Sequence, residues 1–143
     1  MAPEYPMWID GRDVRTAEAI TVRIPYDGEP CATVFAASVT ELELAVEAAR
    51  RAAPVMRGLT REERSAILRR ASARLLEQKE DLAVTISSES GKPLREGRLE
   101  VERAASTLLF SSEEAHRLVG EVVPMDASAA GRGRMAMTVR EPL

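Results

Sequence analysis

The sequence predicts an α+β protein with an N-terminal β-meander, three to four helices and a C-terminal β-hairpin. Two changes of hydrophobic period carry this reading. Up to Ala36, apolar residues alternate with polar ones between Asp-Gly and Pro-rich turns. From Ser38 to about Leu118 they recur every three or four residues, and beyond Gly120 the alternation returns. A chain of 143 residues is long enough for one domain with a real core and too short for two ordinary ones.

Trp8 to Val14 reads as a small hairpin, because Asp10-Gly11 is a favoured pair for a two-residue turn. Ile20 to Ile24 alternates as a strand, Pro25 to Pro30 is turn chemistry, and Cys31 to Ala36 is the returning strand. At Ser38 the period changes. Ser38 with Glu41 forms a capping box and opens a helix whose apolar stripe is Val39, Leu42, Val46, Ala49, Ala53 and Met56. Pro54 should kink or end that helix. Thr60 with Glu63 opens a second helix, with Ile67, Leu68, Ala71, Leu75 and Leu76 as its stripe. The polar run from Glu77 to Asp81 reads as a bend before the pattern resumes through Leu82 and Ile86. Gly91 and Pro93 make a corner, the glycine closing one helix and the proline starting the next. That last helix presents Val101, Ala104, Ala105, Leu108 and Ala115, and Gly120 should end it. Val122 to Pro124 and Arg134 to Arg140 read as strands joined by a flexible tip rich in Ala, Ser and Gly.

Composition narrows the function classes. Hydrophobic residues at 45% and charged residues at 30% describe a soluble globular chain. A net charge of -3 leaves no basic excess for nucleic acid. No apolar run reaches the length of a membrane span, and the first residues lack a signal peptide's basic start and apolar core. Cys31 is the single cysteine, so no internal disulfide forms, and a cytoplasmic location is expected. With aromatics at 3%, the core must be built from Ala, Leu and Val, which bury little area each.

Chemistry-bearing residues are few. His116 is the only histidine, so no histidine metal cluster can assemble, and its place near a helix end suits the dipole there. Cys31 has no basic neighbour in sequence and reads as a small buried hydrophobe rather than a thiolate. Gly131-Arg132-Gly133-Arg134 lacks either phosphate-binding fingerprint and leads into a strand. Glu96, Glu100 and Glu102 share a helix with Arg95, Arg98 and Arg103, which describes a solvated, ion-paired face. Lys92 reads as an exposed lysine at the helix corner.

The order of short motifs is more specific than any one of them. Trp8-Ile9-Asp10-Gly11 comes first, followed by Asp27-Gly28-Glu29-Pro30 and the Thr60-Arg61-Glu62-Glu63-Arg64 helix start. Glu89-Ser90-Gly91-Lys92-Pro93, Glu100-Val101-Glu102-Arg103, Gly120-Glu121-Val122-Val123-Pro124 and Arg140-Glu141-Pro142-Leu143 complete the series. This series resembles the N-terminal part of the NAD(P)-dependent aldehyde dehydrogenase superfamily. Within it, Glu100 to Arg103 and the Val-Val-Pro-Met-Asp stretch resemble the lactaldehyde and non-phosphorylating glyceraldehyde-3-phosphate dehydrogenase branch.

The resemblance implies a fragment of an α/β fold lacking most of the parallel cofactor-binding sheet. Residues 1–120 would begin the cofactor-binding domain, and 121–143 would begin the oligomerisation hairpin. Members oxidise an aldehyde through a cysteine thiohemiacetal and pass a hydride to NAD or NADP. Their oxyanion-hole asparagine, nucleophilic cysteine, glutamate and nucleotide-binding strands all fall beyond Leu143, and Cys31 does not match the nucleophile. No catalytic or cofactor-binding residue carries over, so the 143 residues alone are expected to bind neither cofactor nor aldehyde productively. Some members hold a structural monovalent cation with an acidic residue at the position of Glu89 and with backbone oxygens near Val22 and Arg23. The alternative for Glu89 is an ordinary solvated carboxylate. Expected partners are further dehydrogenase segments or a second copy. The alternative function is a non-enzymatic helical interaction module that pairs with a complementary fragment or a full-length relative.

Overall fold

A computed structural model describes residues 2–141; Met1, Pro142 and Leu143, the last two closing the Arg-Glu-Pro-Leu motif, lie outside the described residues. Five short strands come first: β1 (Glu4–Tyr5), β2 (Met7–Ile9), β3 (Arg12–Val14), β4 (Ala19–Arg23) and β5 (Pro30–Phe35). Four helices follow: α1 (Val39–Gly58), α2 (Arg61–Glu77), α3 (Lys79–Ser90) and α4 (Leu94–Arg117). A hairpin of β6 (Val122–Pro124) and β7 (Met135–Met137) comes last. The α+β class, the four helices and the C-terminal hairpin agree with the sequence.

The N-terminal strands depart from a simple meander. β4 and β5 pair antiparallel, but β1 joins β5 in parallel, giving the order β1-β5-β4. β2 and β3 form a separate ribbon. Pro6 stands between β1 and β2, where a residue without an N–H interrupts a ladder. The Asp10-Gly11 turn is as expected, with φ of 53° and 74° at its two residues.

Both capping boxes form. The Thr60 hydroxyl accepts from the Glu63 N–H at 3.2 Å, while the Glu63 carboxylate accepts from the Thr60 N–H at 2.7 Å. Ser38 and Glu41 do the same at the start of α1. The bend predicted at the polar run falls at Gln78, where the helix divides into α2 and α3. At the corner, Gly91 takes the left-handed conformation (φ 71°), and its N–H reaches the Ser87 carbonyl at 2.9 Å.

Three local expectations need correction. Of the kink or end expected at Pro54, the end does not occur: α1 runs on to Gly58, with the proline inside the helix. α4 ends at Arg117, before Gly120; Gly120 is instead approached by the Thr138 carbonyl, within 1.7 Å of where a Cβ would stand. The last strand is only Met135–Met137, and its Gly-rich tip is folded back into a short 3-10 turn (Ala129–Gly131) against the Met125 carbonyl.

The core is the contact of α4 with α2 and α3, and it is built from small residues. Val101, Ala105 and Ala115 of α4 are buried together with Ser65 and Ser72 of α2 and Ala83 of α3. The Ser72 hydroxyl donates to the Ala105 carbonyl at 2.8 Å, so burying it leaves no unpaired donor. Gly97 faces α3 so closely that an added Cβ would lie 2.7 Å from the Ala83 carbonyl oxygen. The stripes assigned to the first two helices are largely elsewhere. All six residues named for α1 are exposed, and Ile67 and Leu76 of α2 are exposed too.

Charges tie the helices together. Arg98 of α4 grips Glu80 of α3 through Nε and a terminal nitrogen, at 3.0 and 2.8 Å to one oxygen. Lys79 pairs with Glu102 at 2.5 Å, and Lys92 pairs with Glu100. On α4, Arg98 and Glu102 are thus paired across to α3 and Glu100 to the corner lysine, where the sequence placed the charges of one helix side by side. Arg95–Glu96 and Arg117–Glu114 are of the expected local kind.

Gly97→Ala should destabilise the chain by about 1–3 kcal/mol, since α3 must move to admit the methyl. Gly58→Ala, with nothing within 4 Å, should raise stability by about 0.5 kcal/mol. Chemical denaturation of the two variants checks the contrast.

Acid titration supplies another test. The hydrogen bonds from Thr60 hold the Glu63 carboxyl below the usual carboxylate range. A depressed folded pKa adds stability that is fully present above the unfolded value and is lost as pH falls through the folded one. Glu63→Gln should therefore lower the melting temperature at neutral pH and by less at pH below the carboxylate range; an equal loss at both would remove the cap's charge from the account.

Candidate functional site

An apolar cleft lies between the β4–β5 face and α3, with a volume of about 400 Å³. Val22, Ile24, Cys31 and Val34 form its sheet side, and Val84, Ser88 and Glu89 form its helix side. The Gly91 corner sets this geometry from one end. It packs against Pro25 in the loop after β4, with the glycine's Cβ position 3.4 Å from the proline ring.

This cleft gathers two of the three positions proposed for a cation. Glu89, near the C-terminal end of α3, shares it with Val22, while Arg23 does not line it. The Val22 carbonyl already accepts from the Cys31 thiol at 3.5 Å. One exposed carboxylate and one carbonyl fall well short of the oxygen shell that a hard cation takes. Among the described residues no group of three or more His, Cys, Asp or Glu side chains is placed to hold a metal ion.

Cys31 is half-buried, and its hydrogen bond runs to a backbone carbonyl rather than to a base. A thiol in that setting is not activated as a nucleophile. His116 is in the last turn of α4, as its dipole role requires, and its Nε2 also lies 3.5 Å from Glu62 on α2. Lys92, read as a corner lysine, is engaged by Glu100. The cross-helix partners were not legible in sequence because Glu80 and Arg98 lie eighteen residues apart, beyond any helical repeat.

A dinucleotide cradle needs a glycine turn between a parallel strand and a helix N-terminus. Here Gly131 and Gly133 lie between two antiparallel strands, and β5, the strand of the parallel pair that leads into a helix, reaches α1 through Ala36-Ala37-Ser38 with no glycine. The described residues do not fit that cofactor. A second, more polar cavity of about 640 Å³ lies between the α1–α2 corner and the end of α4, lined by Thr60, Arg61, Arg64 and Arg140. Arg64 donates from there to the Met56 and Arg57 carbonyls at 2.9 and 3.2 Å, closing the end of α1. Its Nε is buried with no hydrogen-bond partner among the described residues.

No helix among the described residues is long and apolar enough to cross a membrane. A profile of the Aldehyde dehydrogenase family matches residues 8–143. The chain is similar to the 3-sulfolactaldehyde dehydrogenase of Priestia aryabhattai, 36% identical over 140 residues, which is 98% of this chain and 29% of that enzyme. It is similar to the NADP(+) succinate-semialdehyde dehydrogenase GabD of Escherichia coli, 37% identical over 117 residues, or 82% of this chain and 24% of the relative. The crystal structure of aldehyde dehydrogenase 21 from Physcomitrella patens, in complex with the reaction product succinate, superposes with a TM-score of 0.89. There the identity is 31%, over 96% of this chain and 29% of that one. The chain therefore spans under a third of the length of the relatives it matches, and it belongs to the aldehyde dehydrogenase family.

Proposed function

We propose that these 143 residues are the N-terminal part of an NAD(P)-dependent aldehyde dehydrogenase acting on an aldehyde that carries an anionic group. One observation carries the substrate class. Two of the similar enzymes are named for a sulfonated aldehyde and a carboxylated one, and one similar structure holds a dicarboxylate product, whereas others are of lactaldehyde and benzaldehyde dehydrogenases. The reaction converts aldehyde, water and NAD(P)+ to carboxylic acid, NAD(P)H and a proton. NADP is named for the Escherichia coli relative, and either cofactor is consistent with the family.

In this reading the chain supplies scaffold and no reacting group. Cys31 is bonded to a carbonyl, and His116 stands beside a carboxylate on the outer end of the helices. The helices α1 to α4 belong to the start of the cofactor-binding domain, and the β6–β7 ribbon begins an oligomerisation hairpin. Pairing with further dehydrogenase segments, in a cytoplasmic enzyme, follows from the same reading. Glu89 and the Val22 carbonyl would then form part of a monovalent-cation cage whose other oxygens come from outside these residues.

A chimera tests the proposal: this chain replaces the 140 aligned residues of the Priestia aryabhattai enzyme. The chimera should form NAD(P)H from 3-sulfolactaldehyde, while the chain alone should form none. A folded chimera without turnover would falsify the assignment, and turnover by the chain alone would show that its catalytic groups had been missed. In the same chimera, replacing sodium and potassium with choline should lower the melting temperature, and Glu89→Gln should abolish that sensitivity. No effect of either change would remove the cation role.

A further inference from the structure

Methionine is unevenly placed on this surface. Among the described residues, Met135 and Met137 are 80% and 66% exposed, Met56 is 52% exposed, and Met7 and Met125 are half-buried. The two barest are the outer residues of the three-residue strand β7, so they stand on the same side of the ribbon. Their partners on β6, Pro124 and Val122, lie directly opposite and therefore on that side too. Val122 is 72% exposed, while Val123 and Ala136 on the other side are better covered. One side of the ribbon is thus apolar and open to solvent, and thioethers supply its whole β7 half.

Sulfur makes this side different from an ordinary apolar patch. A thioether accepts an oxygen atom from a peroxide. The sulfur lone pair attacks one peroxide oxygen, the O–O bond breaks, an S–O bond forms, and water leaves. Sulfur is oxidised by two electrons and the peroxide is reduced, with no net change in protons. The sulfoxide that results is polar, and a reductase can return it to the thioether. Met135 and Met137 give an oxidant free access to their sulfurs. The β6–β7 ladder is made by backbone groups, so oxidising these side chains leaves its hydrogen bonds in place.

Resting on the proposed function, in which this ribbon begins an oligomerisation hairpin, we infer that Met135 and Met137 form a reversible oxidation site. Through it a peroxide controls the association of this chain with a second copy. In the reduced state, Val122, Pro124, Met135 and Met137 present an apolar patch that a two-fold contact sets against itself. In the oxidised state, association buries two S–O acceptors that meet only apolar groups, and an acceptor left unpaired disfavours burial. Association in turn covers the sulfurs and slows their oxidation.

The test uses the chain carrying Cys31→Ala, so that no thiol competes for the oxidant. Hydrogen peroxide is titrated while light scattering follows the oligomeric state and mass spectrometry locates each added oxygen. Oxygen should enter at Met135 and Met137 ahead of Met7 and Met125. The association constant should fall on the order of 10-fold per sulfoxide, with circular dichroism unchanged. Methionine sulfoxide reductases A and B should restore association, using a dithiol that becomes a disulfide as water is released. Met135→Leu with Met137→Leu should associate as the reduced chain does and be indifferent to peroxide. Val122→Asp distinguishes the two levels. Association that survives it, or a chain monomeric from the start, removes the ribbon as a contact between copies and the inference with it. Association that Val122→Asp abolishes but sulfoxides at Met135 and Met137 do not weaken overturns the inference alone. Oxidation that begins at Met7 or Met125 does the same.

Discussion

Close approach of α4 to its two neighbours is the constraint on which the remaining structure depends. At Gly97 the α3 backbone comes so near that a methyl group would meet the Ala83 carbonyl oxygen at 2.7 Å. Further along, Ser72 reaches the Ala105 carbonyl, and Ser65 and Ser112 are fully buried. Small side chains let helix axes come together, but each buries little apolar area, so the seam gives register and direction more than stabilisation. Cross-helix ion pairs such as Arg98–Glu80 fix the same register from outside. As exposed pairs they contribute modestly, and they are screened by salt.

That seam also explains what is left uncovered. Residues that would ordinarily form a core, the long apolar side chains of α1 and the outer faces of α2 and α4, point away from the small-residue contact. A three-helix unit held by Ser, Ala and Gly has its larger hydrophobic groups free for another layer. The corner at Gly91 serves the same arrangement by turning α3 into α4 within three residues. It also carries Glu89 to the cleft under β4. Its part is to position elements, and none of its groups is arranged for chemistry.

Local instructions were legible in sequence to a useful degree. The two capping boxes, the Asp10-Gly11 turn, the break at Gln78 and the Gly91 corner all depend on residues within a few positions of one another. The parallel β1–β5 pairing was not, because it joins residues about thirty positions apart through a two-residue strand that has no periodic signal of its own. Buried Ser65 and Ser72 were missed although they stand seven residues apart, as do Ala105 and Ser112. The hydrophobic period does pick out Val101, Ala105 and Ala115 on α4, which are buried, but on α1 it picks out an exposed stripe, and it passes over the serines. The candidate site was readable only as a set of positions: Glu89 and Val22 share a cleft, while Arg23 does not line it.

The sequence by itself determined the helices, their caps and the family, since these reside in short-range chemistry and in the order of motifs along the chain. Tertiary structure alone decided which helix faces are covered. Amphipathic spacing states that a face should be buried but carries no information about whether its partner is present. On α1 the stripe is written clearly in the residues, and the fold of these 143 leaves it open.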